Sequence, residues 1–425
     1  MKQSESRSTT SVDVAVIGAG AAGLMAAIAA ARQDSSKTLK ILLLDTRPKI
    51  GAKILISGGT RCNVTNRRVT PSDYYGGPSH FVKHILEAFS PDQTRNFFEE
   101  IGVPLVLEVT GKYFPTTHSG KTVLEALMKE CARLGVILKT ECRITQIKKE
   151  GDRFHLKGDG VDSTSRRVVL ATGGLSYPET GSDGTGYKIA QSLGHTLVPT
   201  AAALTPLLCQ DEDWQSLSGI ALEAALYFYE NGKKKEESRS ALLFTHFGFS
   251  GPSALDISRF WARSSADKHP EIFARFLPEE NEETLKKILD AQAKAASGQR
   301  VKRFLMERFA FPERFVEIII KKSGVDETRS VAKLLAPQKS ALIRYLMNCP
   351  LPITGVYGYK KAEVTSGGIP VSEVKNATME SKRTPGLYFA GEILDVDGRI
   401  GGFNFQWAWS TGTVAGRSAV KSLAA

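Results

Sequence analysis

Residues 12–23 read VDVAVIGAGAAG, and few local sequences leave a chain less choice. The first six are β-branched or small and apolar, the make-up of a buried strand. Gly18, Gly20 and Gly23 then fall in GxGxxG spacing at the start of an alanine-rich run. The first glycine permits the tight turn, the second brings the backbone close to a pyrophosphate, and the third lets helix pack on strand. Ala21 and Ala22 open the helix, whose positive end would receive the phosphates. A second apolar run, ILLLD (41–45), places Asp45 and Thr46 where a carboxylate meets adenosine ribose hydroxyls. Strand, glycine turn, helix, strand and acid in that order predict a Rossmann-type α/β domain that binds a dinucleotide.

The rest of the chain limits which kind. RITQI (143–147) and RRVVLATGG (166–174) read as later strands of the same domain, with Ile144 on the first and Ala171, Thr172, Gly173 and Gly174 closing the second. Small residues at a strand end suit a backbone that passes close to a cofactor. GTGYKI (184–189) lacks the third glycine, and HSGKT (118–122) has Pro115 where a phosphate loop needs its first glycine. No second nucleotide domain is visible.

At 425 residues two or three domains are expected. Five cysteines without CxxC or metal-like spacing point to reduced thiols, a cytoplasmic location and no metal site. The polar first eleven residues do not form a signal peptide. Residues 14–31 are apolar enough to suggest a membrane span, but their glycine spacing and alanine content favour a buried strand, turn and helix, so no membrane partner is expected. A net charge of +11 fits either a solvated basic surface or an anionic partner.

Two long motifs remain: GAKILISGGTRCNVTN (51–66) and GLYFAGEILDVDGRIGGFNFQWAWSTG (386–412). Together with the glycine turn, Ala171–Gly174, Thr245–Pro252 and Val364–Gly368, they resemble the BaiN-like, or aminoacetone-oxidase-like, FAD-dependent oxidoreductases, a family that includes ribosomal RNA dihydrouridine synthases. The departures are Thr60 for a third glycine and Phe403 for tyrosine. The resemblance implies a glutathione-reductase-like FAD domain. It nominates Lys53, Ser57, Gly58, Gly59, Arg61, Cys62 and Asn63 from the first motif, and Gly391, Glu392, Asp397, Gly401, Gly402, Phe403, Asn404 and Phe405 from the second, as cofactor neighbours. Helix amides after Gly401-Gly402 would stabilise negative charge on the reduced isoalloxazine. Gln406, Trp407 and Trp409 read as packing residues beneath that turn.

Between the two motifs the pattern changes. LTPLLC (204–209), ALEAALYFYE (221–230) and SALLFTHFGFSG (240–251) have strand length and composition. From 263 onward apolar residues recur at helical spacing, as with Val301, Phe304, Leu305 and Phe309. The expected organisation is an FAD domain over 1–195 and 351–425, interrupted by a β-rich part (196–262) and a helical part (263–350). Basic residues concentrate in the helical part: Arg300, Lys302, Arg303, Arg308, Arg314, Lys321, Lys322, Arg329, Lys333, Lys339 and Arg344. They form either a solvated face or a landing surface for ribosomal RNA.

Cys62 and His246 are the catalytic candidates, the first as a proton donor to a carbon acceptor, the second to bind or protonate substrate. Each has an equally simple reading as a core residue. Thr365, Gly367 and Gly368 are placed on the substrate side by resemblance to fumarate-reductase-like flavoproteins. The leading expectation is hydride transfer from NADH or NADPH, entering as a diffusing reductant, through FAD to an activated C=C bond, with uridine in ribosomal RNA as one acceptor. Competing readings are a small-molecule amine or enone oxidoreductase and an RNA- or ribosome-binding protein with structural FAD.

Overall fold

The computed structural model describes residues 10–295 and 298–424. The chain forms two compact units, one from residues up to 201 together with 363 onward, the other from 202–362.

The first unit is built on the predicted βαβ start. Strand β1 (Thr10–Ile17) runs parallel to β2 (Ile41–Leu44), with helix α1 (Ala21–Gln33) between them in sequence. Beyond β2 lies Ile137–Lys139, and on the other side of β1 lies Val161–Leu170, both parallel. The last strand is shared along its length. Its first half pairs antiparallel with Arg153–Asp159, and its second half takes Leu387–Phe389 in parallel. That pairing brings the C-terminal motif back to the first strands.

The C-terminal helix, Phe403–Ala424, lies against α1 and is buried over most of its length. Small residues make this possible. Residues 22–30 of α1 are buried without a break, and most are alanine or glycine. On the facing helix, a Cβ at Gly416 would lie 2.1 Å from the Ala26 carbonyl oxygen. The two backbones therefore touch with almost no side chain between them. Trp409 fixes the other side: its indole N–H donates to Val64 O (2.9 Å) and its ring meets Phe98 edge-on. Gln406, fully buried, accepts from the Thr65 hydroxyl at 2.6 Å and donates to Phe89 O and Ser410 Oγ. The tryptophan–glutamine motif is thus the interior of the fold, as its pattern predicts.

The second unit is a seven-stranded antiparallel sheet with helices packed on it. Its strand order is Cys349–Leu351, Glu271–Arg275, Ala221–Glu230, Lys233–Thr245, Gly248–Ser250, Leu207–Cys209 and Ile353–Val356. The stretches read from sequence as β-rich and helical share this one sheet and one core, in which Trp214, Phe244, Phe276 and Phe315 meet. Short strands among long helical patterns carry little periodicity, so the sharing is invisible until register is known.

Candidate functional site

Within the first unit the nominated segments converge. Helix α1 begins at Gly20 with no side-chain cap and no acid in its first turn, which leaves its leading N–H groups to an anion. A Cβ at Gly20 would meet nothing within 4 Å, whereas one at Gly23 would strike Gly18 O at 1.7 Å. The second glycine therefore faces open space and the third packs against the turn. Asp45, at the end of β2, accepts from the N–H groups of Ala19 (2.6 Å) and Arg47 (2.8 Å) and so braces the turn. Thr46 beside it is exposed. Cys142 N–H donates to Asp45 O, drawing the 142–144 segment, with buried Ile144, to the same strand end.

A second cluster joins four segments. Lys53 Nζ donates to Glu392 Oε2 and to Ser176 Oγ, each at 2.7 Å. The Ser176 hydroxyl donates to Glu392 Oε1 (2.5 Å), and the Thr365 N–H reaches the same oxygen at 3.0 Å. Thr365 Oγ1 in turn accepts from the N–H groups of Leu175 and Ser176. Gly174 is pinned between them, since a Cβ there would lie 2.4 Å from Thr365 Oγ1. Ala171 is buried at the end of its strand, and Thr172 and Gly173 lead from it into this cluster.

The Gly401-Gly402 turn forms a third wall. Asn66 Nδ2 donates to Gly401 O (3.0 Å), and a Cβ on Gly402 would fall 2.8 Å from Asn63 Oδ1 and from Thr65 O. Asn404 is occupied elsewhere: its amide exchanges two hydrogen bonds with the Gly398 backbone. Asp397, buried, pairs in a short antiparallel bridge with Tyr75. Phe403 packs edge-on to Tyr74, and Phe405 stacks on Trp409. Gly391 N–H donates to Thr411 Oγ1.

The Ser57–Asn63 loop is a run of left-handed backbone, with positive φ at Gly58, Gly59, Thr60 and Cys62. Ser57 caps its own helix by donating to Ile54 O, and Arg61 is taken up by Glu108 (2.6 Å) and by the face of Phe114. Cys62 has no exposed surface, and burial pushes its thiol up to about 12, against a smaller opposing pull from the Ser57 hydrogen bond. His246 belongs to the second unit, exposed at a hairpin tip with its ring edge-on to Phe247, and is not part of the grouping within the first unit.

The HI0933-like protein Rossmann domain family matches residues 12–418. The chain belongs to that family. A 3-dehydro-bile acid delta(4,6)-reductase from Clostridium scindens is 33% identical over 410 residues, covering 96% of this chain and 99% of that protein. A ribosomal RNA dihydrouridine synthase from Escherichia coli is 35% identical over 402 residues, covering 94% and 96%. Its counterpart of the same name from Haemophilus influenzae is 33% identical over 403 residues, covering 93% and 95%. The chain is accordingly a flavoprotein and an oxidoreductase of the FAD-dependent class.

As an HI0933-like protein it presents surfaces that fit FAD. The uncapped helix start and the space at Gly20 suit the pyrophosphate. Among the described residues of the unit, the buried polar atoms that lack a hydrogen-bond partner include Asn63 Oδ1, Thr94 Oγ1, Thr172 Oγ1, Trp407 Nε1 and Thr413 Oγ1. Buried polar atoms are rarely left unpaired, and two of these lie on nominated segments. Ser176 escaped the sequence reading because it lies outside the ATGG pattern. Among the described residues no helix is long and apolar enough to cross a membrane, and no group of three or more His, Cys, Asp or Glu is placed to hold a metal.

Proposed function

We propose that this chain reduces an activated carbon–carbon double bond, that the acceptor is a uridine of ribosomal RNA, and that NADH or NADPH enters as a diffusing reductant in the cytoplasm. Bound FAD supplies the hydride transfer. The observation that carries the reading is the Lys53–Ser176–Glu392–Thr365 cluster, a cation and a carboxylate held beside the nominated cofactor segments. Glu392, with two partners on Oε1 and one on Oε2, is a fixed acceptor. Lys53, only part-buried, is the one of the four that carries positive charge toward the site. The amides that begin the C-terminal helix add donors from the Gly401-Gly402 side.

Support for uridine comes from the two relatives named as ribosomal RNA dihydrouridine synthases. Dihydrouridine carries two more hydrogens than uridine across one ring double bond. The balance is one hydride and one proton gained by the base and one NAD(P)H oxidised to NAD(P)+. The second reading, a small-molecule enone reductase, rests on the bile acid reductase, which this chain matches over nearly its whole length. Dihydrouridine content of ribosomal RNA from cells with and without the gene decides between them. Loss at one position supports the RNA acceptor; unchanged content sinks it and moves the search to small enones and amines.

A further inference from the structure

Next to the Gly401-Gly402 turn, a small antiparallel sheet is made by Thr65–Asn66, Lys112–Pro115 and Leu105–Leu107. Its register puts Asn66 opposite Lys112, and Arg67 N–H donates to Gly111 O at 2.7 Å. Arg67, Arg68 and Lys112 are thereby gathered at one end. Arg67 and Arg68 are exposed, Lys112 is half-buried, and among the described residues none of the three side chains has a carboxylate partner. Glu108, the acid on the same hairpin, is already held by Arg61. The hairpin tip adds two exposed apolar side chains, Leu107 (39%) and Val109 (104%). The base of the sheet is tied to the nominated cofactor turn through Asn66 and Gly401 O.

In the helical stretch of the second unit, five of the eleven basic residues named above are held by carboxylates. Lys302 meets Glu313 and Glu317, Arg303 meets Glu307, Lys321 meets Asp213, Lys322 meets Asp211 and Asp213, and Lys339 meets Asp290. Paired cations release fewer counterions to a polyanion than free ones do.

We propose that Arg67, Arg68 and Lys112, with the Leu107–Val109 tip, bind the backbone and bases of a single-stranded stretch of RNA. The cations take phosphates, the apolar tip takes a base face, and the tie to Gly401 holds the strand beside the cofactor turn. This rests on the RNA reading above and adds the surface that carries it.

The test is binding of the FAD-loaded protein to a fluorescein-labelled oligouridylate across a salt series. Arg67→Gln/Arg68→Gln/Lys112→Gln is compared with Arg308→Gln/Lys333→Gln/Arg344→Gln in the helical stretch. Three lost phosphate contacts lower the slope of log affinity against log salt by about 2, and affinity at low salt falls roughly tenfold or more. The helical variant keeps the wild-type slope. If the wild type binds and the first variant binds equally well, the surface is elsewhere and the RNA reading stands. If the wild type fails to bind even at low salt, both fall together. Equal wild-type affinity for polyglutamate overturns the proposal in favour of an acidic protein partner. Flavin content and melting temperature of the first variant remain those of the wild type, because the altered side chains hold nothing in the fold.

Discussion

Lys53 and Glu392 stand 339 positions apart in the chain and 2.7 Å apart in space. The contact joins the first long motif to the second and places a charge pair at the candidate cofactor wall. Lys53→Met leaves Glu392 with Ser176 and the Thr365 amide but removes the cation. A hydrogen bond to a charged group contributes about 1.5–3 kcal/mol, so FAD affinity is expected to fall by tenfold or more. Glu392→Gln keeps an acceptor for Thr365 and is expected to lose less. Fluorescence titration of the apoprotein with FAD reads both. Unchanged affinity in Lys53→Met would separate this cluster from the cofactor.

Thr60 occupies a position with φ of 70°, in line with Gly58 and Gly59. A β-branched residue in that region is strained, at about 1–3 kcal/mol. Glycine loses more entropy on folding, which offsets part of the relief. Thr60→Gly is therefore expected to be neutral or to stabilise by up to about 1 kcal/mol, whereas Thr60→Val gains nothing. Chemical denaturation gives the sign. Destabilisation by the glycine would mean that the threonine hydroxyl, donating to Gly59 O at 2.6 Å, outweighs the strain.

Cys62 gives a cleaner test of catalysis against packing. If it only fills the core, Cys62→Ala lowers stability by about 1–2 kcal/mol and leaves flavin reduction and reoxidation rates near wild type. Stopped-flow measurement of the two half-reactions distinguishes the cases. A loss confined to reoxidation by the carbon acceptor would assign Cys62 the proton-donor role.

His195 and Glu373 make a buried pair at 2.7 Å, closed by Ser381 on the other ring nitrogen. Burial lowers the imidazole and outweighs the carboxylate beside it. Burial raises Glu373, but hydrogen bonds from Arg383, Thr196 and His195 overcome this and bring it to about 2. Both groups bind protons less readily folded than unfolded. The Glu373 contribution, about 3 kcal/mol, is fully present above its unfolded value of 4.5 and is lost as pH falls toward 2. The His195 contribution is present above 6.5 and declines as pH falls below it. Melting temperature is expected to drop on acidification through both ranges. Glu373→Gln should be less stable at neutral pH and flatter below 4.5; a parallel acid limb would put the sensitivity elsewhere.

What the sequence disclosed was mostly what lies close together in it. VDVAVIGAGAAG dictates strand, turn and helix because each residue constrains its neighbour, and the two long motifs are each continuous. The Lys53–Glu392 pair, the role of Ser176 and the neutralising of Lys321 and Lys322 by Asp213 and Asp211 depend on register across distant segments, for which the chain carries no local signal. Asp45 was legible as an acid at a strand end; its engagement with Ala19 N–H was not. Within the helical stretch itself, Lys302, Arg303 and Lys339 find their acids nearby, whereas Lys321 and Lys322 take theirs from Asp211 and Asp213 far upstream.

Two glycines separate close packing from cofactor access. At Gly416 an added Cβ would lie 2.1 Å from Ala26 O and 2.9 Å from the Ala26 carbonyl carbon, both backbone atoms of a buried helix that cannot swing aside. Gly416→Ala must push the C-terminal helix off α1 and is expected to cost about 3 kcal/mol or more. At Gly20 the added Cβ meets nothing, and φ of −80° is open to alanine. Gly20→Ala is therefore expected to fold with wild-type stability as apoprotein while binding FAD more weakly, because the methyl group occupies the space left for the pyrophosphate. Apoprotein melting curves and FAD titration of both variants separate the two effects. If Gly20→Ala retained full FAD affinity, the glycine turn would not be where the phosphates lie.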